Sequence, residues 1–105
     1  MNSDGRKFFP YEIEYKKQAE KFFRKHEDVR QEYINLLWEL FCGEHPEKVD
    51  LKTIKGKRGT FYRLRIGDWR VIYMIDGDKM IIINTLMAGS RGDIYKRLGG
   101  LRVIL

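Results

Sequence analysis

The sharpest alternation of apolar and polar positions runs through GTFYRLRIGDWRVIY, residues 59–73. Thr60–Ile66 and Trp69–Ile75 each alternate as strand side chains do when they point to opposite faces. Gly67-Asp68 between them supplies a two-residue turn, because glycine tolerates the positive φ such turns need. A hairpin about that turn pairs Ile66 with Trp69, Arg65 with Arg70, Leu64 with Val71, Arg63 with Ile72 and Tyr62 with Tyr73. One face then carries Tyr62, Leu64, Ile66, Trp69, Val71 and Tyr73, and reads as a core face. The other carries Arg63, Arg65 and Arg70, with Arg65 opposite Arg70. Like charges directly opposed across a sheet are destabilising, so the arrangement asks for a reason.

The rest of the chain supplies the partners of this hairpin. Phe8–Tyr15 alternates after Pro10 and predicts a first strand through Tyr11, Ile13 and Tyr15, with Pro10 at its start because it lacks an N–H. Lys16–His26 predicts a helix with Ala19, Phe22 and Phe23 on one side. Val29–Cys42 predicts a stronger one: Val29, Tyr33, Leu36, Leu37 and Leu40 follow the 3.6-residue period. Ile34, Trp38 and Phe41 widen its stripe, so it is expected to be the main helix packed on the sheet, with Asp28 as its cap and Gly43 as its stop. Residues 44–59 read as a polar, basic connector. Asp76-Gly77-Asp78 predicts a turn into a strand Lys79–Leu86, and Ala88-Gly89-Ser90 a connector. Arg91–Leu98 predicts a short helical or irregular segment, interrupted by Gly99-Gly100 ahead of an apolar tail, Leu101–Leu105. The order is β-α-α-β-β-β, an α+β fold with a helical hairpin on one face of a mostly antiparallel sheet. At 105 residues this is one domain, 1–105, with a single core.

Charge changes the picture. The formal net charge is +6, but it is segregated. Residues 1–50 hold nine Lys/Arg against eleven Asp/Glu, a balance of −2, and residues 51–105 hold twelve against four, a balance of +8. The positive field therefore belongs to the half containing the hairpin, and a polyanion is its natural partner. The longest apolar runs, such as Met80–Ile83, are far too short to span a membrane. The opening residues lack a signal-type apolar stretch, so a cytoplasmic location is expected. Cys42, the single cysteine, excludes an internal disulfide and reads as buried packing. His26 and His45 have no second ligand at metal spacing and read as surface residues, so no metal or cofactor is expected. No phosphate loop or nucleophile elbow is present. The arginine face is the remaining candidate. Guanidinium groups bind phosphate oxygens bidentately and stay charged, so a phosphate would turn mutual repulsion into shared attraction.

The segment LKTIKGKRGTFYRLRIGDWRVIYMIDGDKMIIINTLMAGSRGDIYKRL resembles the RelE/ParE toxin superfamily, and most closely its RelE-type messenger-RNA endonucleases. The carrying features are Lys-Gly before the arginine hairpin, YRLRIGDWRVIY, an apolar last strand and GSRGDIYK; YEIEYKKQAEKFF is similar to the family's first strand and helix. The resemblance implies the small RelE-like fold and the toxin of a type II toxin–antitoxin pair. Its activity would be metal-independent cleavage of mRNA in the ribosomal A site through attack by the RNA's 2′-hydroxyl. The family's functional positions fall on Arg63, Arg65, Arg70, Arg91 and Tyr95; the basic residues Lys52, Lys55, Lys57 and Arg58 are expected to contact the RNA backbone without sequence choice. The implied partners are a cognate antitoxin, mRNA and the ribosome, with no membrane. Two departures stand out. Arg63 and Arg65 replace lysines of well-studied relatives, and arginine effectively cannot act as a base. Ser90 precedes Arg91 where some relatives carry an acid/base, which leaves Lys55, Lys57 and Tyr95 as candidates for proton transfer. The alternatives are a ParE-like inhibitor of DNA gyrase without nuclease activity and a noncatalytic RNA-binding module.

Overall fold

The computed structural model describes residues 10–57, 59–100 and 103–104. The order is β1 (Tyr11–Tyr15), α1 (Lys17–Lys25), α2 (Glu27–Cys42), a single 3₁₀ turn (Pro46–Lys48), β2 (Leu51–Gly56), β3 (Gly59–Ile66), β4 (Trp69–Asp76), β5 (Ile81–Ser90), α3 (Arg91–Gly100) and β6 (Val103–Ile104). The strands form one sheet in the order β1-β5-β4-β3-β2-β6. Among the described residues only β1–β5 is parallel; the other pairs are antiparallel. The hairpin register is the one the alternation predicts, from Tyr62 opposite Tyr73 to Ile66 opposite Trp69, with Arg65 facing Arg70. Gly67 takes φ +57° at its turn.

Several expectations need correction. The connector read over residues 44–59 contains the strand β2, paired with β3 from Leu51–Leu64 to Gly56–Gly59. LKTIKG has no period-two pattern because only Ile54 of the strand is buried. Ala88-Gly89-Ser90 is not a connector: these residues extend β5 opposite Val71, Arg70 and Trp69. Arg91–Gly100 is a helix throughout, so the Gly-Gly pair does not interrupt it. Asp28 does not cap α2; His26 occupies that position without a side-chain cap, leaving Glu27 and Asp28 to offset the dipole from the first turn. Cys42 is exposed, because the buried stripe of α2 narrows to Val29, Tyr33 and Leu37 and Trp38 remains 41% exposed. The backbone of α1 lies nearest the sheet, against β5, while α2 supplies the larger share of the buried side chains. The expected strand start at Phe8 and much of the Leu101–Leu105 tail lie outside the described residues.

Two apolar clusters sit on opposite faces of the sheet. The larger joins Ala19 and Phe23 of α1 and Val29, Tyr33 and Leu37 of α2 to Tyr11, Leu64, Val71, Tyr73, Ile83 and Ala88. The smaller joins Ile94 and Leu98 of α3 to Ile54, Phe61, Ile72 and Met87. A bulge lets β5 serve both. Pairing steps from Ile72–Met87 to Tyr73–Thr85, so Leu86 is the extra residue. Leu86 and Met87 consequently both contribute to the α3 side. Thr85 turns to the other face, where its hydroxyl meets Tyr33 Oη at 2.7 Å, both groups fully buried. Beyond the end of β1, the open edge of β5 is closed by α1. The Lys16 N–H donates to the Thr85 carbonyl, and the Gln18 amide exchanges two 2.8 Å hydrogen bonds with the backbone of Ala88. Gln18 thus stands in for a missing strand residue.

Candidate functional site

α3 covers only part of its face of the sheet, and the arginines occupy the remainder. Alternation puts Lys52 and Ile54 of β2 on this side, next to Arg63 and Phe61 of β3, then Arg70 and Ile72 of β4. Ser90 fixes how α3 enters: its Oγ accepts the Asp93 N–H at 3.3 Å, the geometry of an N-cap serving the third helical residue. Arg91 is thereby held in the first turn. Its guanidinium carbon lies 5.4 Å from the centre of the Tyr95 ring, a cation–π spacing, and Tyr95 is 41% exposed.

The three hairpin arginines differ from one another. The sequence places them on an open face, but only Arg65 is half exposed; the Arg63 side chain is 13% exposed and Arg70 is 8% exposed as a residue. Asp50, just before β2, explains part of this. Its Oδ1 accepts from Arg63 Nη2 at 2.6 Å, and its Oδ2 lies 3.7 Å from Arg65 Nη1. Its backbone carbonyl accepts the Arg65 N–H at 3.0 Å. Arg65 Nε donates to the Gly67 carbonyl at 3.2 Å. Arg70 Nη1 donates to the carbonyls of Gly67 and Trp69 at 3.1 and 3.0 Å. The repulsion foreseen in the hairpin is therefore moderated by one carboxylate and by turn carbonyls. It is not removed: the Nε of Arg63 and of Arg70 are both buried without a hydrogen-bond partner among the described residues.

Electrostatics show which groups share this site. The Arg70 pKa is lowered, first by burial and then by Arg65, Arg63 and Arg91, with Tyr95 opposing; the group stays cationic at any physiological pH. The Tyr95 phenol is held below its ordinary value, chiefly by hydrogen bonding to Arg91. The charges of Arg91, Arg63 and Lys52 act in the same direction, against a desolvation effect that raises it. Arg63, Arg65, Arg70, Arg91, Tyr95 and Lys52 thus form one neighbourhood.

Lys55 does not join it: adjacent to buried Ile54 and opposite Thr60, it points to the other face of the sheet. Lys57 is exposed in the β2–β3 turn, and Arg58 lies outside the described residues. His45 is exposed beside Glu47, whereas His26 is half-buried, stacked 4.4 Å from Phe22 and 4.8 Å from Trp69. Among the described residues, no group of three or more His, Cys, Asp or Glu side chains gathers as metal ligands would.

Asp50 is the residue that sequence reasoning missed. Nothing marked it, because the strand it introduces had no alternation to reveal that Asp50 faces Arg63 and Arg65.

A family model described as the ParE toxin of the type II toxin–antitoxin system parDE matches residues 13–92. The matched span contains Asp50, Arg63, Arg65, Arg70 and Arg91 and ends before Tyr95. No curated protein and no solved structure matches the chain.

Proposed function

The chain belongs to the ParE toxin family of type II toxin–antitoxin systems, and we propose that within it the chain is an endoribonuclease that cuts mRNA at its arginine face, in the ribosomal A site. The observation that carries this reading is the pair of buried Nε groups on Arg63 and Arg70, unpartnered among the described residues, within a cluster of cations. Leaving a charged donor buried and unsatisfied is costly, and a phosphate supplies the acceptors and the charge together.

In this reading Arg65 and Arg70 hold the scissile phosphate and Arg63 lies close by. Arg91 stabilises the negative charge that grows in the transition state. Such preorganised charge is effective because no reorganisation is needed as the reaction proceeds. The RNA's 2′-oxygen forms a bond to phosphorus as the bond to the 5′-oxygen breaks. The 2′ proton leaves to a base and a proton reaches the departing oxygen, which gives a cyclic phosphate and a free 5′-hydroxyl. Tyr95 is the best placed group for proton transfer, since its cationic neighbours favour the phenolate, and its ring can stack on a nucleotide. Lys52 contacts the adjoining backbone; Lys57 would extend that contact at the turn, and Lys55 would do so only for RNA that rounds the sheet edge. The reaction requires no metal ion in this scheme.

A toxin of this family implies a cognate antitoxin. We expect it to bring carboxylates to the arginine face and to associate quickly and salt-sensitively, as complementary charge dictates. Titration with the product of the adjacent gene at low and high salt tests this; binding away from Arg65 and Arg91 would contradict it.

The second reading, inhibition of DNA gyrase without RNA cleavage, is favoured by the parDE description of the matching family. Induction in a bacterial host with mapping of message 5′ ends separates the two. Codon-phased cuts support the nuclease, and DNA-damage signalling with intact messages supports gyrase inhibition.

A further inference from the structure

On the flank of α3 away from Arg91 and Tyr95, a second cationic region lies where α1 closes the edge of β5. Lys17, Lys21 and Lys25 recur every four residues along α1, so they form one row with steps of about 6 Å at 1.5 Å per residue. Arg97 of α3 faces them across a groove of about 570 Å³, within the roughly 300–1,000 Å³ of ligand clefts. Among the described residues, no acidic residue lines this groove and none of these four cations makes an ion pair. The nearest carboxylate on the helix, Glu20, is engaged by Arg24.

The floor is aromatic. Phe22 and His26 line the groove, stacked on each other, and Trp69 packs on both, 5.2 Å from Phe22 and 4.8 Å from His26. All three rings are half-buried. A row of cations at a backbone-like repeat beside exposed ring surface is the physical make-up of a single-strand platform.

α3 joins this groove to the arginine face. At 100° per residue, Ile94 and Leu98 point into the core, Arg91 and Tyr95 lie on one flank of that stripe, and Arg97 lies on the other. One strand crossing α3 would meet both sets of cations.

We propose that the groove of Lys17, Lys21, Lys25 and Arg97 binds the sugar–phosphate backbone of single-stranded RNA, as a second contact outside the arginine cluster; the assignment rests on the RNA reading of that cluster. It sets affinity without reading sequence, since lysines act on phosphate as point charges.

The test uses the full chain and an unstructured single-stranded RNA, with affinity followed across salt. The triple variant Lys17→Gln/Lys21→Gln/Lys25→Gln is compared with the double variant Arg65→Gln/Arg70→Gln. Each phosphate contact on a single strand contributes about 0.7 to the slope of log affinity against log salt. The triple variant is therefore expected to show a slope shallower by about 2, with about tenfold or more loss of affinity at low salt. In a Trp38→Phe background, RNA should change the emission of Trp69, and the triple variant should weaken that response. Unchanged slope and affinity in the triple variant, with binding lost in the arginine variant, would overturn the groove and leave the arginine reading standing. Loss in the triple variant with no loss in the arginine variant would overturn the arginine site, and with it the groove as a second contact to that site. If native chain binds no RNA, both fall. If the triple variant binds RNA normally but loses affinity for the antitoxin, the groove is a protein-binding surface and the proposal is wrong.

Discussion

On the face covered by α1 and α2, a buried polar group has its partner: the Tyr33 and Thr85 hydroxyls meet at 2.7 Å, and rings of Phe23, Tyr33 and Tyr15 pack around them. On the face covered by α3, the apolar cluster gives way to guanidiniums, two of which bury an Nε with no acceptor among the described residues. Both faces belong to the same strands, and the same alternation builds them. The first pairs its Tyr33 and Thr85 hydroxyls within the chain, and the second, on the proposed reading, turns its guanidiniums toward an anion. Stability should therefore reside mainly on the first face, and chemistry on the second.

The strongest way to break that division is Arg91→Ala. It removes a preorganised cation from an exposed first turn, so cleavage should slow about 10²–10³-fold with little change in melting temperature. Tyr95→Phe should be milder than Tyr95→Ala if ring stacking outweighs the hydroxyl. Equal loss in both would place the phenol in proton transfer.

The converse experiment lies on the closed face. Tyr33→Phe leaves the Thr85 hydroxyl buried without its partner, at a cost of about 1–3 kcal/mol, and should lower the denaturation midpoint without altering cleavage per folded molecule. Arg70→Gln sharpens the contrast. It removes two hydrogen bonds to turn carbonyls but also a buried charge among like charges, so stability should move by less than about 1 kcal/mol while toxicity is lost. A melt showing that Arg70→Gln unfolds the chain would make Arg70 structural and weaken the division.

Tyrosine titration compares the faces in one experiment. Tyr95 should ionise first, because Arg91 holds its phenol down. Tyr11 is pushed up to about 12 by burial, and burial also raises Tyr33 and Tyr73. Folding holds these three neutral, so the stability they confer is complete below the ordinary tyrosine value near 10. It should be lost as the pH rises from there through about 12. Absorbance of tyrosinate should show an early step, absent in Tyr95→Phe and moved upward in Arg91→Gln, followed by a late step coincident with loss of the folded circular dichroism signal.

The smallest effect is expected at Asp50. Asp50→Asn frees Arg63 and Arg65 from a half-exposed carboxylate, which should tighten RNA binding severalfold and change stability by less than about 1 kcal/mol. Asp68→Asn, an equal change of charge at the turn, serves as the control and should do less.

How much of this was legible follows from where the pattern is strong. The hairpin register could be read because Leu64, Val71 and Tyr73 are buried on one face and Gly67 fixes the turn, so a one-residue slip would invert every side chain. β2 was hidden because its single buried residue, Ile54, leaves no alternation, and Asp50 was hidden with it. The end of β5 was hidden because Ala88-Gly89-Ser90 has turn-like composition, whereas Val71 and Arg70 hold it in the sheet. The lysine row of α1 escaped a count of charge by halves, because those lysines sit in the acidic half and meet Arg97 only in the folded chain. Exposure of Cys42 depended on how α2 rotates onto the sheet, which periodicity alone does not determine.

The central claim is that the open face performs chemistry on RNA through the substrate's own 2′-hydroxyl. The most direct measurement compares cleavage of a ribosome-bound message with that of the same message carrying a single 2′-deoxy residue at the cut, with chelator in excess. The account predicts that the native message yields a cyclic phosphate and a free 5′-hydroxyl while the 2′-deoxy message resists. Equal cleavage of the two, or an intact native message, would contradict it.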